Sequence, residues 1–166
     1  VNIDDKAVQK IKQKGLEAIC ARVEDLGKHN VNATIFLCFE VLEHLISPAS
    51  FLHKLAAQTN AKYMVLTVPY VKDSRMGLWY IKEGWNDRKF CAENTHIFEL
   101  DPADWKLLIR YSGWDVVSEK IYFQYPRRGA LRITKPLWKA FDVEGFYGLV
   151  IKRDDRWSSQ YTDWWE

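Results

Sequence analysis

The chain has 166 residues, the length of one domain with a core of useful size. Hydrophobic residues make up 48% and charged residues 28%, and a net charge of +2 gives no strong pull toward nucleic acid or a membrane surface. No apolar run approaches the roughly 18 residues of a membrane span and no basic-then-apolar leader opens the sequence, so a cytoplasmic protein without nucleic-acid or membrane partners is expected.

Residues 1–3 read as the end of a strand. Asp4 and Asp5 cap a helix over residues 6–14, with Ala7, Val8 and Ile11 at helical spacing and Gly15 as its stop. Residues 16–20 read as a short strand, 23–27 as a connecting turn, and 33–39 as a more apolar strand. Cys20 and Cys38 lie in these apolar runs. With Cys91 they form no CxxC pair, which fits reduced, buried thiols in a cytosolic setting. A helix over 50–58 turns Phe51, Leu52 and Leu55 inward, and a strand over 62–68 closes at Pro69. Residues 70–99 form a long aromatic segment, whose length marks a lid or substrate loop. Its Trp79, Tyr80 and Trp85 fit either a cover over a planar or sugar substrate or packing of the loop on itself.

Asp101 at the N-cap and Pro102 at the first helical position open a helix that reaches Tyr111 before Gly113. Residues 114–123 and 145–152 are the last strands, with no clear helix between them. Lys120, Arg127, Arg128, Arg132, Lys135 and Lys139, interleaved with Tyr122, Tyr125 and Trp138, fit a grip on a phosphate-bearing acceptor or a solvated face. The tail over 153–166 is too aromatic for solvent and is expected to dock on the domain or a partner. Strands alternating with helices imply an α/β fold, a single three-layer domain over 1–166. Its sheet is mostly parallel with an antiparallel last strand, 70–99 is an insertion and 153–166 a tail.

The most informative stretch is Glu40-Val41-Leu42-Glu43-His44-Leu45, directly after the strand over 33–39. A helical turn there puts Glu40, Glu43 and His44 at i, i+3 and i+4, on one face. Ligands of open α/β sheets sit at the C-terminal ends of strands. Three readings stand. The carboxylates and His44 cap neighbouring backbone; or His44 is a general base or orients an acceptor, since an imidazole titrates near neutrality; or Glu40, Glu43 and His44 with His96 hold a divalent ion. Two carboxylates and two imidazoles suit Mn²⁺ or Fe²⁺ at least as well as Mg²⁺.

The segment F-E-V-L-E-H-L-I-S-P-A-S-F-L, preceded by V-N-I-D-D-K-A-V and A-R-V-E-D-L and followed by L-T-V-P-Y and H-I-F-E-L-D-P-A-D-W, resembles class I S-adenosylmethionine-dependent methyltransferases of the small-molecule type. The resemblance covers nearly the whole chain from the family's second strand onward, and implies a Rossmann-like sheet. The family's first strand and glycine-rich loop have no counterpart, which implies an N-terminally incomplete domain, inactive by itself. It implies S-adenosyl-L-methionine as cofactor, with Asn2, Ile3, Arg22, Val23 and Phe39 at the cofactor-binding positions. Asn2 stands where the family has an acid that accepts the ribose hydroxyls, and Arg22 where it has an adenine-binding Asp; Glu24 or Asp25 is the nearest substitute.

The implied activity is methyl transfer to an oxygen of a small, sugar- or phosphate-bearing acceptor. His44 would be the base or acceptor-orienting group, with Glu40, Glu43 and His96 supporting it or holding Mn²⁺ or Mg²⁺. The ExxEH pattern with a downstream His is also similar to metal-dependent O-methyltransferases, including those acting on RNA 2′-hydroxyls. The departures at Asn2 and Arg22 fit instead a degenerate, non-catalytic module that binds a partner through the basic stretch and the tail. A sheet lacking its centre is also open to completion by a second chain, as in a homo-oligomer.

Overall fold

A computed structural model of the chain describes residues 1–29, 31, 33–78, 81, 95–123, 130–140 and 145–165. The apolar runs become strands β1 (Ile35–Phe39), β2 (Tyr63–Tyr70), β5 (Trp114–Phe123) and β6 (Gly145–Arg153), in one four-stranded sheet ordered β1-β2-β6-β5. β1 and β2 are parallel, and β6 runs antiparallel to both of its neighbours. This is the mixed, Rossmann-like sheet with an antiparallel last strand that the order of elements implied. A separate two-stranded ribbon pairs β3 (Arg75–Met76) with β4 (Phe98–Glu99) inside the segment read as a continuous irregular loop.

Pro69 does not close β2, because the strand runs on to Tyr70. The amide of Glu40 donates to the Thr67 carbonyl at 3.0 Å, so Thr67 turns its backbone groups toward β1. By the two-residue period Pro69 faces the same way, beyond the end of β1, where no ladder bond is lost. The strand expected over 16–20 reduces to one parallel bridge, Asn2 to Cys20. Cys20 is exposed, against the expectation of a buried thiol, while Cys38 is buried. Cys91 lies outside the described residues.

The described elements include helices α1 (Asp5–Gln13), α2 (Pro48–Gln58), α3 (Pro102–Tyr111) and α4 (Lys135–Ala140). The Asp4 side chain caps α1 by accepting from the Lys6 amide, and Asp101 caps α3 by accepting from the Ala103 and Asp104 amides. Phe51, Leu52 and Leu55 of α2 and Trp105 and Ile109 of α3 pack against Met64, Leu66, Ile151 and Trp114. Each such side chain contributes roughly 1.5–3 kcal/mol by leaving water. The Trp114 indole also donates to the Leu52 carbonyl at 2.9 Å, which ties β5 to α2. The tail returns over the helices: Trp165 stacks on His53 with ring centroids 4.1 Å apart, and Tyr161 meets Tyr111 edge-on. His53 is thereby half-buried.

A cavity of about 880 Å³ lies between β1 and the segment Val1–Ile3. Glu40 and His44 line it, together with Asn2, Arg22, Ile35 and Leu37. The even-numbered positions of β1 turn their backbone groups to β2, as the Thr34 carbonyl and Glu40 amide show, so those of Ile35, Leu37 and Phe39 face away from β2. Trp79, Tyr80 and Trp85 fall outside the described residues, as do Tyr125, Arg127 and Arg128 of the basic stretch. In that stretch the Lys120 ammonium lies 5.1 Å from the Tyr122 ring centroid.

Candidate functional site

The backbone turns out of β1 at Glu40, whose φ of 52° is the only left-handed non-glycine conformation among the described residues. Only then does a 3₁₀ turn form, over Leu42–His44. Glu40 therefore does not share a helical face with Glu43 and His44, as an uninterrupted helical turn would require. It lines the cavity instead, and its Oε1 is buried with no hydrogen-bond partner.

Glu43 and His44 instead come together with His96. Their ligand-capable atoms all lie within 4.8 Å of one another. Glu43 is fully buried and neither carboxylate oxygen has a hydrogen-bond partner. Burial pushes its carboxyl up to about 8, and the nearby Glu40 charge adds to this. His44 Nε2 stands 3.7 Å from Glu43 Oε1, and the two imidazoles meet edge-to-face with centroids 4.9 Å apart.

The orientation of both rings follows from their other nitrogen. His44 Nδ1 lies 2.9 Å from the Thr95 carbonyl. A carbonyl only accepts, so Nδ1 carries the proton and Nε2 offers a lone pair. His96 Nδ1 lies 3.0 Å from Glu99 Oε1. Partial burial opposes the Glu99 charge, but hydrogen bonds from Arg75 and His96 and the Arg75 charge outweigh it and hold that carboxyl below its ordinary value. The ribbon is pinned to the turn by the Ile97 amide, which donates to the Glu43 carbonyl at 2.7 Å. Burial, with the Glu43 charge beside it, pushes the Cys38 thiol up to about 12, which leaves it an inert wall of the cavity.

The sequence-derived cofactor positions gather at the cavity with one exception. Asn2, Ile3, Arg22 and Val23 line it, and Phe39 is not among its lining residues. Asn2 Oδ1 is engaged, accepting from the Asp4 amide at 2.8 Å. Arg22 can only donate, but Glu24 lines the same cavity and pairs with it at 3.8 Å, which supplies an acceptor there. Thr95, Arg75 and Gly77 had no role in the reading of the sequence. Thr95 acts through its carbonyl, which any residue supplies, and only the His96-x-x-Glu99 spacing hinted at a paired imidazole.

No family model and no curated protein sequence matches the chain. Solved structures do. A SAM dependent methyltransferase from Archaeoglobus fulgidus superposes with a TM-score of 0.58 at 14% identity, over 92% of this chain and 74% of that one. Magnesium protoporphyrin IX methyltransferase from Synechocystis, solved with S-adenosylhomocysteine bound, gives 0.54 at 15% identity, over 92% of this chain and 62% of that one. The [4+2]-cyclase SpnF gives 0.56 at 9% identity, over 89% and 62%. The chain therefore spans between three fifths and three quarters of these proteins' lengths. A strand order of β1-β2-β6-β5 with β6 antiparallel, and these superpositions over nine tenths of the chain, identify its fold as that of the class I S-adenosylmethionine-dependent methyltransferases.

Proposed function

We propose that the chain is part of an S-adenosylmethionine-dependent methyltransferase that acts on an oxygen of a small acceptor. The observation that carries this is the position of His44, which lines the 880 Å³ cavity and also belongs to the trio with Glu43 and His96. A cavity of that size suits a cofactor or drug-sized ligand. The residues at one end fit an adenosyl group: Asn2 and Arg22 offer donors and Glu24 an acceptor. Bound there, the cofactor would supply an electrophilic methyl group on a sulfonium.

The chain's own residues would hold and align the acceptor, which is the larger part of such catalysis. His44 Nε2, left as a lone pair by the bond from Nδ1 to Thr95, would take the acceptor's proton. Glu43, beside it, would stabilise the resulting imidazolium once ionised, above about pH 8. The glycine-rich loop that would approach the cofactor's methionine end has no counterpart in this sequence. The chain alone is therefore expected to bind weakly and not to turn over. Calorimetric titration with S-adenosylhomocysteine tests this: weak, saturable heat that Glu24→Ala diminishes supports the reading. No heat at millimolar ligand, or heat indifferent to Glu24, favours a non-catalytic module.

A second reading, with a divalent ion in the trio, is favoured by the buried carboxylate of Glu43, which has no partner and lies with ligand-capable atoms of His44 and His96 within 4.8 Å. This donor set suits Mn²⁺ or Fe²⁺. Such an ion would lower the pKa of an acceptor hydroxyl. Micromolar Mn²⁺ is expected to broaden the His44 and His96 NMR signals and to spare His29; uniform broadening would count against the site.

A further inference from the structure

The ribbon of β3 and β4 carries a line of polar contacts that ends on His96. Arg75 Nε donates to Glu99 Oε2 at 2.5 Å, across the Arg75–Glu99 register pair, and Glu99 Oε1 faces His96 Nδ1 at 3.0 Å. Gly77 closes the arrangement from the other side. A Cβ at that position would lie 2.5 Å from the His96 carbonyl oxygen and 2.9 Å from its Cβ, so only glycine lets the strand approach so closely. His96 is thus held by its backbone at one side and by its imidazole at the other.

We propose that Glu99, anchored by Arg75, is a positioning residue that fixes His96 in the Nδ1-protonated form and so directs its Nε2 at Glu43 and His44. A guanidinium cannot accept, so both oxygens of Glu99 are engaged as acceptors, one by Arg75 and one by the imidazole. An ionised carboxylate facing Nδ1 requires the proton on Nδ1. His44 reaches the same state through the Thr95 carbonyl, so both imidazoles of the trio would share one tautomer beside the buried carboxylate of Glu43. Partners of this kind orient histidines and raise the basicity of the free nitrogen.

The use of His96 in methyl transfer rests on the function proposed above, but its tautomer does not, so the two are tested apart. Long-range ¹H–¹⁵N correlation at about pH 9, where imidazoles are neutral, reads the tautomer directly, with His96 assigned from His96→Gln. The wild-type chain is expected to show His96 protonated at Nδ1. Glu99→Ala should shift it to the Nε2-protonated form or a mixture, and Glu99→Gln, which keeps an acceptor oxygen, should restore Nδ1 protonation. Co²⁺ affinity, where it is measurable, is expected to fall about 10–100-fold in Glu99→Ala and less in Glu99→Gln. Should Glu99→Ala fail to fold, Arg75→Ala at the exposed end of the line is expected to give a mixture of tautomers.

A wild-type His96 protonated at Nε2, or a tautomer indifferent to both Glu99→Ala and Arg75→Ala, overturns the proposal. A tautomer that behaves as expected while S-adenosylhomocysteine gives no heat upholds the positioning role and removes only the methyl-transfer reading.

Discussion

Glu43 concentrates the chemistry of the site in one side chain. Its carboxyl titrates at about 8 in the folded chain, against roughly 4.3 in an unfolded one. Between those values the native state keeps a proton that the unfolded state has released. Stability therefore falls as pH rises through that window, by at most about 1.4 kcal/mol per pH unit. Glu43→Gln removes the titration, so urea midpoints measured from pH 5 to 8 should decline in the wild type and stay level in the variant. Parallel curves would mean that Glu43 is solvated or already paired. A bound divalent ion reverses the sign, because it stabilises the ionised form.

At this scale the nearness of Glu43, His44 and His96 was suggested by residue type and, for His96, by the ExxEH-and-downstream-His resemblance. The exclusion of Glu40 was not, because it depends on a φ of 52° that nothing in a glutamate's side chain announces. Nor could spacing reveal that the third member of the cluster comes from the segment just before a ribbon whose strands are two residues long.

Elements bounded by side-chain chemistry were read closely, and those bounded by partners were not. α3 begins where Asp101 and Pro102 require and ends where Gly113 allows, whereas Pro69 misplaced the end of β2 because its tolerance depends on where β1 stops. Gly113 carries a φ of +95° directly after the helix C-cap, and a Cβ there would sit 3.2 Å from Ser158 Oγ of the returning tail. Gly113→Ala thus meets two costs, a left-handed backbone of about 1–2 kcal/mol and pressure on the tail. The expected result is a urea midpoint lowered by about that energy, with tail indole fluorescence shifting before the main transition. A variant as stable as the wild type would mean that the tail yields freely and does not brace α3. Trp165 on His53 and Tyr161 on Tyr111 argue that it does brace it.

The whole molecule is asymmetric across its sheet. Met64, Leu66, Val68, Leu149 and Ile151 face α2 and α3 and are buried, while the opposite face leaves Leu37 67%, Ile35 58% and Phe39 52% exposed. Register carries this open face across the strands, since Leu37 stands beside Val65 and Val65 beside Val150. Parallel strands are ordinarily covered on both faces, and an apolar patch beside an unpaired strand edge is a surface for association. The order of elements foretold the α/β class and the antiparallel last strand. It did not foretell which face is covered, because that depends on the side of the sheet each crossover takes. Leu37→Glu tests the consequence. An exposed position should change stability by no more than about 0.5 kcal/mol, yet a charge in the middle of the patch should abolish concentration-dependent association in sedimentation velocity and reduce binding of an apolar dye. Unchanged sedimentation and dye binding would mean that the face is too flat or too divided to act as one surface. A large loss of stability would mean instead that Leu37 is packed in solution, and that the cavity beside it is filled.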